Sequence, residues 1–204
     1  MKIWFAAIAL LFAAPALAVT QPQDVTAPGT VLHSAAHAGF PERVGDFQRA
    51  EVIRFQEGDF GANYDLARGE DRVRLSVYIY PAPRVSRGQR ASACQELMQG
   101  VTAAIFQAHP DAALNELGAA PSAPGTEPGL ALRTVHSFRF GLRPGGEEAA
   151  RSESRLYCYV GGDWLVKYRV SSNANAALDV GALIDEFIRT GPWPGRGAGS
   201  IALR

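Results

Sequence analysis

Arg155-Leu156-Tyr157-Cys158-Tyr159-Val160, then Gly161-Gly162-Asp163, then Trp164-Leu165-Val166-Lys167-Tyr168-Arg169-Val170, is the stretch that decides the fold. Aromatic and β-branched residues fill both runs, and their side chains alternate with a period of two, the pattern of a strand. A connection this short and glycine-rich folds the chain back on itself, so the runs pair as an antiparallel hairpin.

The same grammar extends outward. Leu130 to Phe140 and Glu148 to Val160 read as strands separated by Arg143-Pro144-Gly145-Gly146. Further upstream, Asp46 to Gln56, Phe60 to Ala67 and Asp71 to Tyr80 are broken by Glu57-Gly58-Asp59 and Arg68-Gly69-Glu70-Asp71, which predicts an antiparallel meander. Pro81-Ala82-Pro83 ends that meander. A helix follows to Ala108, starting near Arg87 or Ala93 because Ser86 with Gln89 and Ser92 with Gln95 both fit a capping box. His109-Pro110 closes it. Leu114 to Ala119 reads as a short strand, and a second helix spans about Asn175 to Thr190, with Val180, Leu183, Ile184, Phe187 and Ile188 on one face. The expectation is an α+β domain over residues 39–191: a largely antiparallel sheet of about six or seven strands, with two main helices packed on it in α/β/α fashion. Residues 19–38 and 192–204, rich in small residues, Gly and Pro, are expected to be flexible.

Met1-Lys2, the apolar run Ile3 to Ala14 and the small pair in Ala16-Leu17-Ala18 form the three parts of a secretory signal, with cleavage expected after Ala18. The expected location is therefore outside the cytoplasm, periplasmic or secreted. The run is short of the ~20 residues that cross a bilayer as a helix, and no basic cluster follows it, so no stable membrane anchor is expected after cleavage. Lys plus Arg and Asp plus Glu both total 20, and a chain so balanced has no global field to draw it onto nucleic acid, which is not expected as a partner.

The two cysteines, Cys94 and Cys158, fall on the core side of a predicted helix and a predicted strand. In an oxidising compartment such a pair forms a disulfide; the alternative is two separate buried thiols.

Phe40-Pro41-x3-Gly45-x-Phe47, the strand end Val77-Tyr78-Ile79-Tyr80-Pro81 and Trp164-x2-Lys167-Tyr168-Arg169, set in this order of elements behind a leader, resemble the exported PsbP-like and DcrB-like α/β/α sandwich proteins. The resemblance implies an accessory or binding protein and brings no shared catalytic residue to carry over.

No nucleophile elbow, Walker loop, H-E-x-x-H or dinucleotide fingerprint is present. His33 and His37 stand four apart, the spacing of two ligands on one helical face, yet no third ligand lies within that turn, so no metal and no cofactor is assigned. His136 shares a strand face with Leu132 and Phe138 and reads as a hydrogen-bonded core histidine. The alternation assigns Arg74, Tyr78, Tyr80, Arg155, Tyr157, Tyr159, Lys167 and Arg169 to one sheet face. Tyr and Arg dominate binding hot spots, although they also pair across strands as ordinary solvated surface. The functional expectation is therefore an exported, non-enzymatic module that binds an envelope protein or a small anionic ligand through that face. The alternative is a hydrolase whose site is assembled from distant loops around His136, a Ser and a carboxylate.

Intact-mass measurement on protein recovered from the exported fraction is expected to give a chain starting at Val19 and lighter by two hydrogens than its reduced form. A Met1 terminus with both thiols open to alkylation overturns the export reading.

Overall fold

Gly161 and Gly162 take φ of 60° and 95°, backbone angles that glycine alone adopts freely, and so close the hairpin on which the sheet is built. The computed structural model describes residues 21–56, 58–140, 148–173 and 179–197. The leader, the Arg143–Gly146 turn and the expected start of the last helix near Asn175 lie outside them. In chain order the strands and helices are β1 (Gln23–Asp24), β2 (Val31–His33), β3 (Ala38–Phe40), β4 (Arg43–Val44), β5 (Phe47–Gln56), β6 (Asp59–Arg68), β7 (Asp71–Pro81), α1 (Arg90–Ala108), β8 (Ala113–Ala119), β9 (Ala131–Phe140), β10 (Glu148–Val160), β11 (Trp164–Asn173) and α2 (Val180–Thr190).

One antiparallel sheet runs β1-β5-β6-β7-β11-β10-β9-β8, with β4 also pairing β5. It has nine strands, more than the six or seven expected. β8 is the short strand read in the sequence and forms the far edge; the additions are the two-residue pieces β1 and β4. Such short pieces carry no alternation for a sequence pattern to detect.

Register divides the side chains between two cores. Tyr168 stands opposite Val77 and Arg155, whereas Lys167 stands opposite Tyr78 and Leu156. On the first face Leu75, Val77, Ile79, Val166, Tyr168 and Val170 bury against Ile184, Phe187 and Ile188 of α2. On the second, Leu156, Cys158 and Leu165 bury against Cys94 and Met98 of α1. The two helices therefore cover opposite faces. The start of α1 is fixed at the earlier of its two possible caps: Ser86 Oγ and backbone N–H both meet Gln89 Oε1, and a 3₁₀ turn over Arg87–Gln89 leads into the helix. Asp179 caps α2 by accepting from the Ala182 N–H at 3.1 Å.

The segments expected to be flexible are folded where they are described. His33 and Ala36 are buried, Ala38 and Phe40 of β3 are fully so, and β1 adds to the sheet edge. Arg49 holds this stretch by donating to the carbonyls of Ala27, Gly29 and Phe40. Further along the chain, Trp193 is buried and donates to Pro124 O at 3.0 Å. Gly195 N–H donates to Ala36 O and Gly39 N–H to Arg196 O, at 2.9 and 3.1 Å. A compositional reading counts Gly and Pro as loose and cannot see that these backbones satisfy one another across the chain.

Cys94 and Cys158 are joined in a disulfide, with Cα atoms 5.9 Å apart and a sequence separation of 64. The bond fixes α1 to β10 and limits the unfolded chain, which on the loop-entropy account stabilises by about 4 kcal/mol. Urea unfolding of the double Cys94→Ser, Cys158→Ser variant is expected to show a loss of that order. A loss below about 1 kcal/mol contradicts this role.

Candidate functional site

The eight side chains that sequence alternation groups together do not share a face. Arg74, Tyr78, Tyr80, Lys167 and Arg169 lie on the α1 side, whereas Arg155 and Tyr157 pair with Tyr168 and Val166 and point to the α2 side. The error has a physical cause. Both faces of the sheet are buried, so an apolar alternation has no unique phase: Leu156 and Cys158 of β10 belong to the α1 core, while Leu75 and Val77 of β7 belong to the α2 core.

Tyr157 is 1% exposed and packs edge-on against Trp193, ring centroids 5.3 Å apart. Arg155 is a buried structural cation. Its Nε donates to Glu153 Oε1 at 2.7 Å, its Nη1 pairs with Asp185, and Arg133 Nη2 donates to Glu153 Oε2 at 2.9 Å. Tyr159 sits at a register shift in β10 with φ 57°, which turns its ring to the same side as Cys158, beneath the Arg90 guanidinium at 4.7 Å. None of these three reaches a binding surface.

Of the remaining five, Arg74, Tyr78 and Arg169 border the part of the α1-side face that α1 leaves uncovered. α1 lies over β9 and β10, and the residue that ends it, His109, meets the sheet beside β11 and β7. There a pocket of about 240 Å³ is lined by Asn63, Arg74, Ser76, Tyr78, His109, Phe138, Arg169 and Ser171. A Cβ at Gly61 would stand 2.8 Å from Tyr78 Cδ1 and 3.0 Å from Phe55, so only glycine lets the two rings close over β6. Lys167 lies over the Tyr78 ring, its Nζ 4.3 Å from the centroid. Tyr80 packs toward the α1 core, where burial and then Asp59 push its hydroxyl up to about 12.

Charge in the pocket is uneven. Arg74 is committed to Asp65, with Nε–Oδ1 2.8 Å and Nη2–Oδ2 3.1 Å. Glu51 accepts from Asn63 Nδ2, and Asn63 Oδ1 accepts from Ser76 Oγ. Arg169, by contrast, is half-buried, and its side chain makes no hydrogen bond or ion pair among the described residues. Burial holds its guanidinium below arginine's usual value, with Tyr78 opposing, and burial followed by the Arg169 charge does the same to Lys167.

Behind Arg169 a polar strip continues under α1. Ser154 is directly opposite Arg169, and His136, Ser152 and Ser171 occupy the next row. Ser152, Ser154 and His136 are fully buried. Ser154 Oγ and both ring nitrogens of His136 have no hydrogen-bond partner among the described residues, which corrects the expectation of a hydrogen-bonded histidine. His136 faces the Phe106 ring edge at 5.6 Å, and burial, then Arg169, lower its pKa. His136 and Ser152 are cross-strand neighbours, but no hydrogen bond joins them as a base and nucleophile require. His33 ends β2 and is stacked on Phe60, while His37 lies in the following turn at φ 47°, so the pair shares no helical face. Among the described residues no cluster of three His, Cys, Asp or Glu side chains is placed to hold a metal ion.

A second concavity, about 450 Å³, runs between α1 and β8 along Met98, Phe106, Leu114 and Leu117, and none of the described residues lining it is charged. No helix among the described residues is long and apolar enough to cross a membrane. No family model, no curated protein and no solved structure matches the chain.

Burial would raise the Glu153 pKa, but the hydrogen bonds and charges of Arg133 and Arg155 outweigh it and leave the carboxyl below glutamate's usual 4.5. Its stabilisation is therefore complete above pH 4.5 and is lost as the pH falls through the lowered value. Arg155→Met is expected to cost about 3 kcal/mol in urea unfolding at pH 7, because it leaves the buried Glu153 carboxylate with Arg133 as its one guanidinium partner among the described residues. The same measurement on Arg74→Gln, which breaks an exposed pair, is expected to show less than about 1 kcal/mol. Equal losses in the two variants contradict these assignments.

Proposed function

We propose that this chain is an exported, non-enzymatic binding module that holds a small anion in the pocket at the end of α1, with Arg169 as the principal contact. The observation that carries the reading is an arginine partly withdrawn from water at a pocket wall with no carboxylate bonded to it among the described residues. Proteins seldom bury a charge without a partner, because desolvation costs several kcal/mol that only a counter-charge or hydrogen bonds offset. The guanidinium offers a planar fork of donors matched to a carboxylate, phosphate or sulfate oxygen pair. Tyr78 brings a hydroxyl to the same pocket, while the Ser76 hydroxyl donates to Asn63 and that of Ser171 to Ser152. The Asp65 charge is offset by Arg74, which pairs with it at 2.8 Å.

A buried disulfide suits an oxidising, exported compartment. The likeness to PsbP-like and DcrB-like proteins belongs to the same proposal, as a likeness in the order of elements. An envelope protein is the second reading, favoured by the half-buried Ile53, Phe55 and Tyr78, which extend the pocket rim across neighbouring strands.

Calorimetric titration with sulfate and with acetate is expected to detect binding to the wild type and at least a tenfold loss in Arg169→Gln. The thermal midpoint should hold or rise, since the variant removes an unpaired charge. Equal affinity in the two proteins overturns the reading.

A further inference from the structure

Resting on the anion reading, we infer that the ligand enters the Arg169 pocket together with a proton, which settles on His109. His109 is the residue that ends α1: its backbone N–H still donates to Ile105 O at 2.8 Å, while its side chain forms part of the pocket wall. The ring is held against Phe138, centroids 3.9 Å apart and planes within 13°, so it is presented to the cavity in a fixed plane. An anion drawn to Arg169 in a cavity of about 240 Å³ comes to rest close to that ring as well.

The charged groups facing this position come from each surrounding element. Arg169 and Lys167 project from β11, Arg74 and Tyr78 from β7, and Asp65 from β6. Glu51 on β5 is engaged through Asn63, His136 lies behind on β9, and Asp111 follows His109 in the chain. With the pocket empty, burial and then the Arg169 charge hold the His109 pKa below its usual 6.5, and Asp111 opposes them only in part. The ring is then neutral at pH 7. An anion beside Arg169 reverses the balance, cancelling the charge that repels the proton and offering the imidazolium an acceptor. The end of α1 adds to this. The helix directs the negative end of its dipole at His109, and no basic residue occupies its last turn.

Linkage fixes the sign. A group that gains a proton on binding makes affinity rise as pH falls between its bound and free pKa values, and leaves affinity flat outside that window. The free value lies below 6.5, and the bound anion lifts it. A positive charge gained close to the bound anion, screened about as strongly as in water, raises the affinity by about fivefold.

Sulfate is the suitable probe because its own charge is constant across the range. Titrated from about pH 8 down to about pH 5.5, a span that brackets the ordinary histidine value, the wild type is expected to bind it about fivefold more tightly at the acid end, taking up a proton that appears as a buffer-dependent heat. His109→Gln should bind sulfate with a flat pH profile, and His109→Phe, which keeps a ring against Phe138, should do the same. A flat wild-type profile, or an unchanged slope in both variants, overturns the proton coupling while leaving the anion site standing. Absence of sulfate binding at every pH, in the wild type as in Arg169→Gln, removes the anion site and the coupling together.

Discussion

A sheet of nine strands buried on both faces sets the terms for everything else in this molecule. Each strand in its middle must supply apolar side chains to two cores at once, so polar groups on those strands are confined to places that neither helix covers. α1 lies mainly over β9 and β10 and is tied to β10 by the bond between Cys94 and Cys158. On its side, β6, β7 and β11 are left with Asn63, Ser76, Tyr78, Lys167 and Arg169 facing a partly open space. The pocket arises at the boundary, where the helix stops and the polar strip begins.

That strip runs against the logic of a core. Fully buried Ser154 and His136 lack partners among the described residues, and Arg169 lacks a counter-ion there. Groups of this kind each cost free energy that an apolar side chain of similar size would not. The Arg155–Glu153–Arg133 network shows how the same sequence satisfies charge when the aim is stability: each guanidinium there meets a carboxylate. A compensated arginine on β10 thus stands beside one on neighbouring β11 that has no counter-ion among the described residues.

Much of the strand and helix pattern was legible in the sequence, because glycine turns, capping residues and period-two alternation act locally. Ser86 and Gln89 mark the helix start, and Gly161-Gly162 the hairpin. The disulfide followed from two cysteines read on inward-facing positions. The site was only half legible. Arg74, Tyr78 and Arg169 were singled out by residue type and do line the pocket, but Arg155, Tyr157 and Tyr159 were grouped with them by a phase argument that holds only when one face of a sheet is wet. The bulge at Tyr159 shifts the alternation by one residue, and no proline or glycine precedes it to announce the change. His109 was read as a helix-ending residue, which it is; its position in the pocket wall depends on Phe138, which β9 supplies from a distant part of the chain.

The mutual hydrogen bonds of Ala36, Gly39, Gly195 and Arg196 have a temporal meaning. A ribosome emits residues 36–39 long before residues 193–196, so the β2–β3 hairpin waits through most of synthesis without the backbone that seals it. These backbone bonds of the N-terminal hairpin are therefore among the later ones to form as the chain is made.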